Sequence, residues 1–204
     1  RVDLVLRRLD LHLVDDADVF IQNYRPGVAE RLGLGVDALQ ARNPEIVYCS
    51  LSAYGADGPI GGRPAYDHVV QAMSGIMETT GTDEMGPVKV GAPYVDYATG
   101  LNAAFAVMAA LAERTRTGEG QVVDVSMLDT TLNLMASNMS AVATTGNDLP
   151  KLGNEAASGS PSSGCFTTGD GEHIMLAANN ERQFADLCKG LGHPEWASDE
   201  RWSG

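Results

Sequence analysis

One aspartate, Asp96, stands where its carboxylate could do covalent chemistry. It lies between a glycine- and proline-containing stretch, residues 81–93, and an alanine-rich stretch, residues 98–114, that predicts a helix. Backbone N–H groups and the dipole at the start of a helix stabilise an anion, and an ionised carboxylate can attack an acyl carbon. The same physics makes aspartate a common helix N-cap. From its position alone, Asp96 is either a nucleophile or a cap.

A second group of chemistry-bearing side chains follows a strand predicted over residues 18–22. Its members are Asn23, Tyr24, Arg25 and Arg31. Open α/β sheets bind ligands where strands end, and guanidinium groups hold phosphates through charge-assisted hydrogen bonds. The alternative is a solvated loop whose arginines pair with Glu30 and Asp37. The cluster therefore predicts either an anion site or an ordinary surface loop.

The histidines and cysteines favour no metal or redox site, since the histidines are far apart and no cysteine pair has CxxC spacing. They are His12, His68, His173, His193, Cys49, Cys165 and Cys188. Free thiols are typical of a reducing compartment, and residues 1–10 lack the apolar core of a signal peptide. No stretch approaches the roughly 20 apolar residues of a membrane span. We therefore expect a cytoplasmic protein with no metal and no membrane partner.

The overall charge excludes general binding to polyanions. Among 204 residues, 14 are Lys or Arg and 27 are Asp or Glu, for a formal net charge of −13. Such a chain is no general binder of nucleic acid or anionic membranes, so any anion site must be local. The 44% hydrophobic and 20% charged content is typical of a folded globular protein.

The first half of the chain alternates strand and helix patterns, which is typical of a parallel α/β sheet. The predicted elements are a strand at 18–22, a helix at 35–44, a β-rich run at 45–55, a loop at 53–64 and a helix at 67–80. Gly75, within the last of these helices, is interpreted as a point of close packing.

The second half opens with the helix at 98–114, which is apolar almost all round and is therefore expected to be buried. The later predictions are a strand at 121–127, a helix at 128–142, a linker at 144–164, a hairpin at 165–178 and a helix at 181–191. The Asp170-Gly171 pair is a strong turn signal for the hairpin. These patterns predict an α/β unit followed by a smaller α+β unit.

Five strings along the chain share the pattern of one known family. They are ADVFIQNYRPGVAERLGLG, NPEIVYCSLSAYGADGP, RPAYDHVVQAMSGIMETTG, VDYATGLNAAFAVMAALAERTRTGEGQVVDVSMLD and FTTGDGEHIMLAANNERQF. In this order they resemble the class III CoA-transferase family, which includes formyl-CoA transferases, carnitine CoA-transferases and α-methylacyl-CoA racemases. The resemblance runs from residue 17 to residue 202, and the ordered set is highly specific.

The resemblance implies the fold of the interlaced-dimer CoA-transferases, an α/β large domain with a Rossmann-like parallel sheet plus a smaller α+β domain. Residues 1–143 correspond to part of the large CoA-binding domain, 144–164 to a linker and 165–204 to the start of the small domain. The family's opening strand and closing part have no counterparts here, so we expect an incomplete chain. Relatives form interlaced homodimers, which predicts a homodimer.

The resemblance also implies an activity, the transfer of CoA from an acyl-CoA thioester to an acceptor carboxylic acid. The family's catalytic aspartate falls on Asp96, which acts as a nucleophile through aspartyl anhydride and aspartyl-CoA intermediates. The CoA-binding positions fall on Asn23, Tyr24, Arg31 and Arg63, and the supporting polar positions fall on Asp67 and Glu181. Coenzyme A is a substrate in this scheme, and no separate cofactor is expected.

One departure from the family pattern bears on the reaction. Its racemases carry a proton-transferring histidine immediately before the acid at Asp67, and this chain has Tyr66 there. Tyrosine is a far weaker base near pH 7, which disfavours racemisation. Glu181 matches an acidic position of some racemases. A 2-methylacyl-CoA racemase is therefore the alternative, together with a non-catalytic acyl-CoA-binding relative.

Overall fold

The computed structural model describes residues 11–202 of the chain. Residues 1–10, which belong to the first predicted domain, lie outside the described residues. The chain forms two compact units. The first contains the residues up to Met77 and Lys89–Leu149, and the second contains Glu78–Val88 and the residues from Pro150 onward.

In the described residues, the first unit is built on a parallel sheet of three strands. These are β1 (Val19–Gln22), β2 (Val47–Ser52) and β3 (Val122–Ser126), hydrogen-bonded in the order β1-β2-β3. Val19 pairs with Val47, and Tyr48 pairs with Val122. The parallel α/β sheet predicted from the alternating patterns is confirmed.

Seven helices accompany this sheet in the described part of the first unit. They are α1 (residues 11–15), α2 (Val28–Leu32), α3 (Val36–Arg42), α4 (Asp67–Ser74), α5 (Tyr94–Thr117), α6 (Met127–Leu134) and α7 (Ala136–Thr145). The helix predicted over 128–142 is thus two helices, which meet at Met135.

Successive residues of β2 serve two separate cores, because side chains along a strand alternate between the faces of the sheet. Tyr48 packs with Leu39 and Ile46 on the side of α2 and α3, and its Oη donates to Leu34 O at 3.0 Å. Val47 and Cys49 pack on the other side against α5 and β3. The sheet therefore holds α5 in place by its middle strand.

Helix α4 ends earlier than the sequence pattern predicts. Gly75 has φ +82°, the left-handed conformation that ends a helix, and a short 3-10 helix, Ile76–Thr79, follows it. A Cβ atom on Gly75 would meet no atom within 4 Å. The interpretation of Gly75 as a close-packing point is wrong, and the glycine is there for its backbone conformation.

Helix α5 buries one stripe, whereas its composition predicted burial all round. The buried residues recur every three or four positions and are Val95, Thr99, Ala103, Val107 and Ala110. Leu101 and Phe105, on other faces of the helix, are 74% and 76% exposed. The prediction is wrong because an apolar composition states what a helix is able to bury, while one sheet covers only one side of it.

Among the described residues, α5 is also the one helix long and apolar enough to cross a membrane, which corrects the expectation that no stretch approaches that length. Its most apolar window has a mean hydropathy of 1.3 and is 28% buried. Length and composition alone are weak support for a span, because a helix that packs on a sheet can meet the same criterion. The absence of a membrane partner stays a prediction.

The second unit contains an antiparallel hairpin and a helix. Strands β4 (Ser163–Thr167) and β5 (His173–Ala177) pair from Ser163↔Ala177 to Thr167↔His173, which confirms the predicted hairpin. Helix α8 (Glu181–Gly190) follows, and the side chain of Asn180 caps it by accepting the N–H of Gln183 at 3.0 Å.

Candidate functional site

An open cavity of about 890 Å³ lies in the first unit, at the carboxyl ends of β1 and β2. Its wall combines the loop after β1, the end of β2, the segment before α4 and the first turn of α5. The polar side chains on this wall include Asn23, Tyr24, Arg25, Arg63, Tyr66 and Asp96. Open parallel sheets bind ligands at this edge, and the volume is within the range of small-molecule sites.

The structure brings together four of the site residues predicted from the sequence. Asn23, Tyr24, Arg63 and Asp96 share the wall of the cavity. Arg31 lies in α2 and is not on the wall, whereas Arg25 from the same basic cluster is. Glu181 is the first residue of α8, in the second unit. The catalytic and binding roles of these residues stay predictions.

Asp96 lies in the first turn of α5 and is not its cap. The helix begins at Tyr94, and the N-cap residue is Pro93, which makes no side-chain capping bond. The capping oxygen is Asp67 Oδ2, which accepts the N–H of Val95 at 2.8 Å and the N–H of Asp96 at 3.2 Å. The interpretation of Asp96 as a cap is therefore wrong. Within residues 11–202, its carboxylate makes no hydrogen bond or ion pair.

The surroundings of Asp96 raise the pKa of its carboxyl group. Partial burial is the larger cause, and the negative charge of Asp67 is the second. Both disfavour the ionised form. A more basic carboxylate is a stronger nucleophile as long as it is ionised, so the direction of the shift suits attack on an acyl carbon.

Two guanidinium groups give the cavity wall positive charge. Arg25 and Arg63 are exposed, and neither forms an ion pair with any of the residues that the structure describes. The alternative in which the basic loop is neutralised by Glu30 and Asp37 does not hold for Arg25. In a chain of net charge −13, two unpaired arginines beside a cavity favour an anionic ligand.

The loop that carries Tyr24 and Arg25 is held by Gln22 at the end of β1. Gln22 Oε1 accepts the N–H of Tyr24 at 2.8 Å, and Gln22 Nε2 donates to Ser50 Oγ on β2 at 2.7 Å. These bonds tie the loop to the neighbouring strand. Arg25 is therefore presented from a braced loop and not from a free one.

Gln71 is a buried residue beside the site that the sequence patterns did not predict. This residue lies one turn after Asp67 on α4, is fully buried, and donates from Nε2 to Asp67 Oδ1 at 2.5 Å. Residues four positions apart share one face of a helix, so the spacing of Asp67 and Gln71 held the signal. The predicted supporting residue Asp67 is itself buried, is not on the cavity wall, and reaches Asp96 through main-chain atoms.

No metal centre is found in the described part of the chain, where no three His, Cys, Asp or Glu side chains are grouped to hold an ion. Cys49 and Cys188 are buried free thiols, and Cys165 is half-buried. The absence of a metal and of a cofactor stays a prediction.

The sequence matches the family model described as CoA-transferase family III over residues 7–204. It is 37% identical over 197 residues to the acetyl-CoA:oxalate CoA-transferase of Acetobacter aceti, and 36% identical over 192 residues to the succinyl-CoA:glutarate CoA-transferase of Mus musculus. These alignments cover 96% and 94% of this chain, but 50% and 44% of the relatives. The chain thus spans about half the length of the curated relatives it matches.

Two solved structures share this fold with the chain over about half of their own length. A CaiB/BaiF family protein from Brucella suis superposes with a TM-score of 0.85 and 35% identity, covering 96% of this chain and 51% of that protein. Rv3272 from M. tuberculosis superposes with a TM-score of 0.80 and 35% identity, covering 98% of this chain and 52% of that protein.

Proposed function

The chain belongs to CoA-transferase family III, and from this premise we propose that it carries the CoA-binding and nucleophilic part of an enzyme that moves CoA from an acyl-CoA thioester to a carboxylic acid. One observation supports this most. Asp96 is an unpaired carboxylate of raised pKa on the wall of a cavity that also holds Arg25 and Arg63. Homodimeric assembly, predicted from the family resemblance, and a cytoplasmic location, predicted from the free thiols, belong to the proposal as further predictions.

The first half of the proposed reaction takes CoA from its donor. An Oδ atom of ionised Asp96 attacks the thioester carbonyl carbon, the C–S bond breaks, and an aspartyl acyl anhydride and CoA thiolate result. The thiolate then attacks the aspartyl carbonyl carbon. The anhydride C–O bond breaks, the donor acid leaves as its carboxylate, and Asp96 is left as an aspartyl-CoA thioester.

The second half delivers CoA to the acceptor. The acceptor carboxylate attacks the aspartyl carbonyl carbon, CoA thiolate leaves, and a second anhydride forms. The thiolate attacks the acceptor's carbonyl carbon, which yields the new acyl-CoA and restores the Asp96 carboxylate. No step gains or loses a proton, so the reaction needs no general base at the position of Tyr66.

The arginines have a separate task in this proposal, which is to hold the substrate. CoA carries several phosphate charges, and guanidinium groups bind phosphate through paired, charge-assisted hydrogen bonds. Arg25 and Arg63 lie on the cavity wall with Asn23 and Tyr24, whose side chains add hydrogen-bonding groups and an aromatic ring. Their unpaired state keeps both guanidinium groups free for an incoming anion.

Covalent trapping tests the proposal. The chain is incubated with an acyl-CoA, quenched with hydroxylamine and digested, and the peptides are analysed by mass. We expect a hydroxamate on the peptide that contains Asp96, because both the anhydride and the thioester react with hydroxylamine. Relatives named for oxalate and glutarate make dicarboxylic acids the first acceptors to assay. No adduct from any acyl-CoA, together with no transfer, would contradict the proposal.

The same samples separate the alternatives. A racemase would exchange the α-proton of a 2-methylacyl-CoA for deuterium without forming an adduct at Asp96, and a binding protein would do neither. The position of Tyr66 on the cavity wall supports the transferase, because the phenol is a poor base near pH 7.

Replacing the cavity arginines should weaken CoA binding without affecting folding. We expect Arg25→Ala and Arg63→Ala each to raise the Kd for CoA about tenfold or more, the effect of one lost hydrogen bond between charged groups. Isothermal titration calorimetry measures the change. Arg116→Ala is the matched control, since this arginine pairs with Glu113 in the last turn of α5 and should leave the Kd unchanged. Wild-type affinity in both cavity variants would rule out this role.

A further inference from the structure

The first turn of α5 is capped by a side chain from another helix. Pro93, at the N-cap, has no oxygen on its side chain to receive the unpaired N–H groups of the first turn. Asp67, the first residue of α4, supplies the acceptor, and its Oδ2 receives the N–H groups of Val95 and Asp96 at 2.8 Å and 3.2 Å. The main chain that carries the Asp96 carboxylate is therefore held by one oxygen of Asp67.

The other oxygen of Asp67 is held by Gln71. Gln71 Nε2 donates to Asp67 Oδ1 at 2.5 Å, and Gln71 Oε1 accepts the N–H of Val90 at 2.9 Å. Gln71 is fully buried, and Asp67 is 9% exposed. A buried carboxylate is costly unless hydrogen bonds satisfy its oxygens, so these contacts stabilise Asp67 where it stands.

The two ends of the Gln71 carboxamide have different partners and cannot be exchanged. The N–H of Val90 is a donor and requires an oxygen, whereas the carboxylate of Asp67 is an acceptor and requires the NH₂ group. Leucine at this position would fill the volume but supply neither group. Methionine would likewise fill the volume and supply no donor, whereas glutamate would set a second carboxyl group beside the carboxylate of Asp67.

We propose that Gln71 is a positioning residue, whose buried carboxamide holds Asp67 and, through it, the main chain that presents Asp96 to the cavity. Gln71 is not on the cavity wall, so it has no direct contact with a ligand bound there. The inference rests on the proposed function for what Asp96 does once it is in place, but the hydrogen-bond chain itself is testable without substrate.

Amide hydrogen exchange, measured on the intact protein, tests the series of hydrogen bonds from Gln71 through Asp67 to α5. In Gln71→Leu we expect the amides of Val95 and Asp96 to exchange about tenfold faster, the size expected from weakening one buried hydrogen bond. The amides of Ala103 and Val107, farther along α5, should keep their protection. Gln71→Met should match the leucine variant, because its side chain also fills the volume and supplies no donor to Asp67.

A kinetic measurement adds a readout that a purely structural role would not change. In single turnovers, Gln71→Leu should slow acylation of Asp96 about tenfold at saturating acyl-CoA, while the acyl-CoA concentration for half-saturation stays as in the unaltered chain. A loss of folded protein would instead reduce the amount of adduct without changing its rate of formation. The matched control is Gln121→Leu, because Gln121 is exposed in the same unit.

Each outcome of these experiments either supports or overturns the positioning role of Gln71. Unchanged exchange at Val95 and Asp96 in either folded variant overturns the proposal. If neither variant folds, hydrogen exchange of the side-chain NH₂ groups is measured in the unaltered chain. Exchange at the NH₂ of Gln71 about tenfold slower than at the NH₂ of Gln121 supports the proposal, and equal exchange overturns it. If exchange responds as expected but the unaltered chain forms no adduct at Asp96, the proposed function fails and the positioning of the α5 main chain by Gln71 is upheld.

Discussion

Asp96→Asn is expected to lower CoA transfer by at least about 10³-fold, because an amide at this position cannot attack the thioester carbonyl carbon. The rate of acyl transfer at saturating donor measures the loss, and hydroxylamine trapping should find no adduct on the Asp96 peptide. The affinity for CoA should remain, since Arg25 and Arg63 are untouched. Transfer at the wild-type rate would end the assignment of Asp96 as the nucleophile.

The same variant is expected to fold at least as well as the unaltered chain at pH 7. The pKa of Asp96 is raised in the folded state, first by burial and then by the charge of Asp67. A raised carboxyl pKa means that the ionised form destabilises the fold above that pKa, and the penalty disappears as the pH falls below the unfolded-state pKa. The neutral amide removes this penalty, so the Tm should not fall.

Asp148→Asn is the matched control for Asp96→Asn. Asp148 is exposed in the loop after α7 and is not on the cavity wall. Its replacement by asparagine makes the same change from carboxylate to amide. Transfer and adduct formation should both match the unaltered chain. Equal losses in the two variants would mean that the effect of Asp96→Asn comes from net charge.

Of all the substitutions proposed for this protein, Gly120→Ala is expected to lower the free energy of unfolding most. A Cβ atom at this position would stand 2.1 Å from Ile46 O and 2.6 Å from the carbonyl carbon of Glu45, both rigid main-chain atoms. Relieving the overlap must move the chain where β3 joins β2, next to the bond from Tyr48 N–H to Gln121 O at 2.8 Å. We expect a cost of about 2–4 kcal/mol in the free energy of unfolding. Denaturant titration measures it.

Gly100→Ala is the control for Gly120→Ala. Gly100 lies inside α5, and a Cβ atom there would meet nothing within 4 Å. Alanine is the better helix former, so this variant should gain about 0.5–1 kcal/mol. If Gly120→Ala were as stable as Gly100→Ala, the close approach of the 120 segment to β2 would be wrong.

Local signals in the sequence predicted much of the fold. The alternation of β-rich and helical runs predicted the parallel sheet, and Asp170-Gly171 predicted the hairpin of β4 and β5, because turn chemistry and side-chain periodicity are properties of adjacent residues. The extent of the long helix was underestimated, since it begins at Tyr94 rather than at residue 98. Its first turn depends on a capping group that the neighbouring residues do not supply.

The errors share one physical cause, which is that burial and capping are decided by partners far along the chain. The composition of α5 predicted burial on every side, but the sheet covers only the stripe that includes Ala103 and Val107. Position alone allowed Asp96 to be a cap, yet the acceptor comes from Asp67. The prediction of close packing at Gly75 failed for the same reason, since no distant segment comes within 4 Å of the position of its Cβ atom.

The sequence by itself determined the family and the order of the elements, because these depend on motifs and residue types that follow one another along the chain. It also predicts Asp96 as the reactive group. Only the tertiary structure decided how the site is assembled. It placed Arg25 rather than Arg31 on the wall with Asp96, and it joined Asp67 to the amide of Val95 across 28 residues. Such contacts arise when the sheet brings separate loops to one edge, and no local pattern records which of them meet.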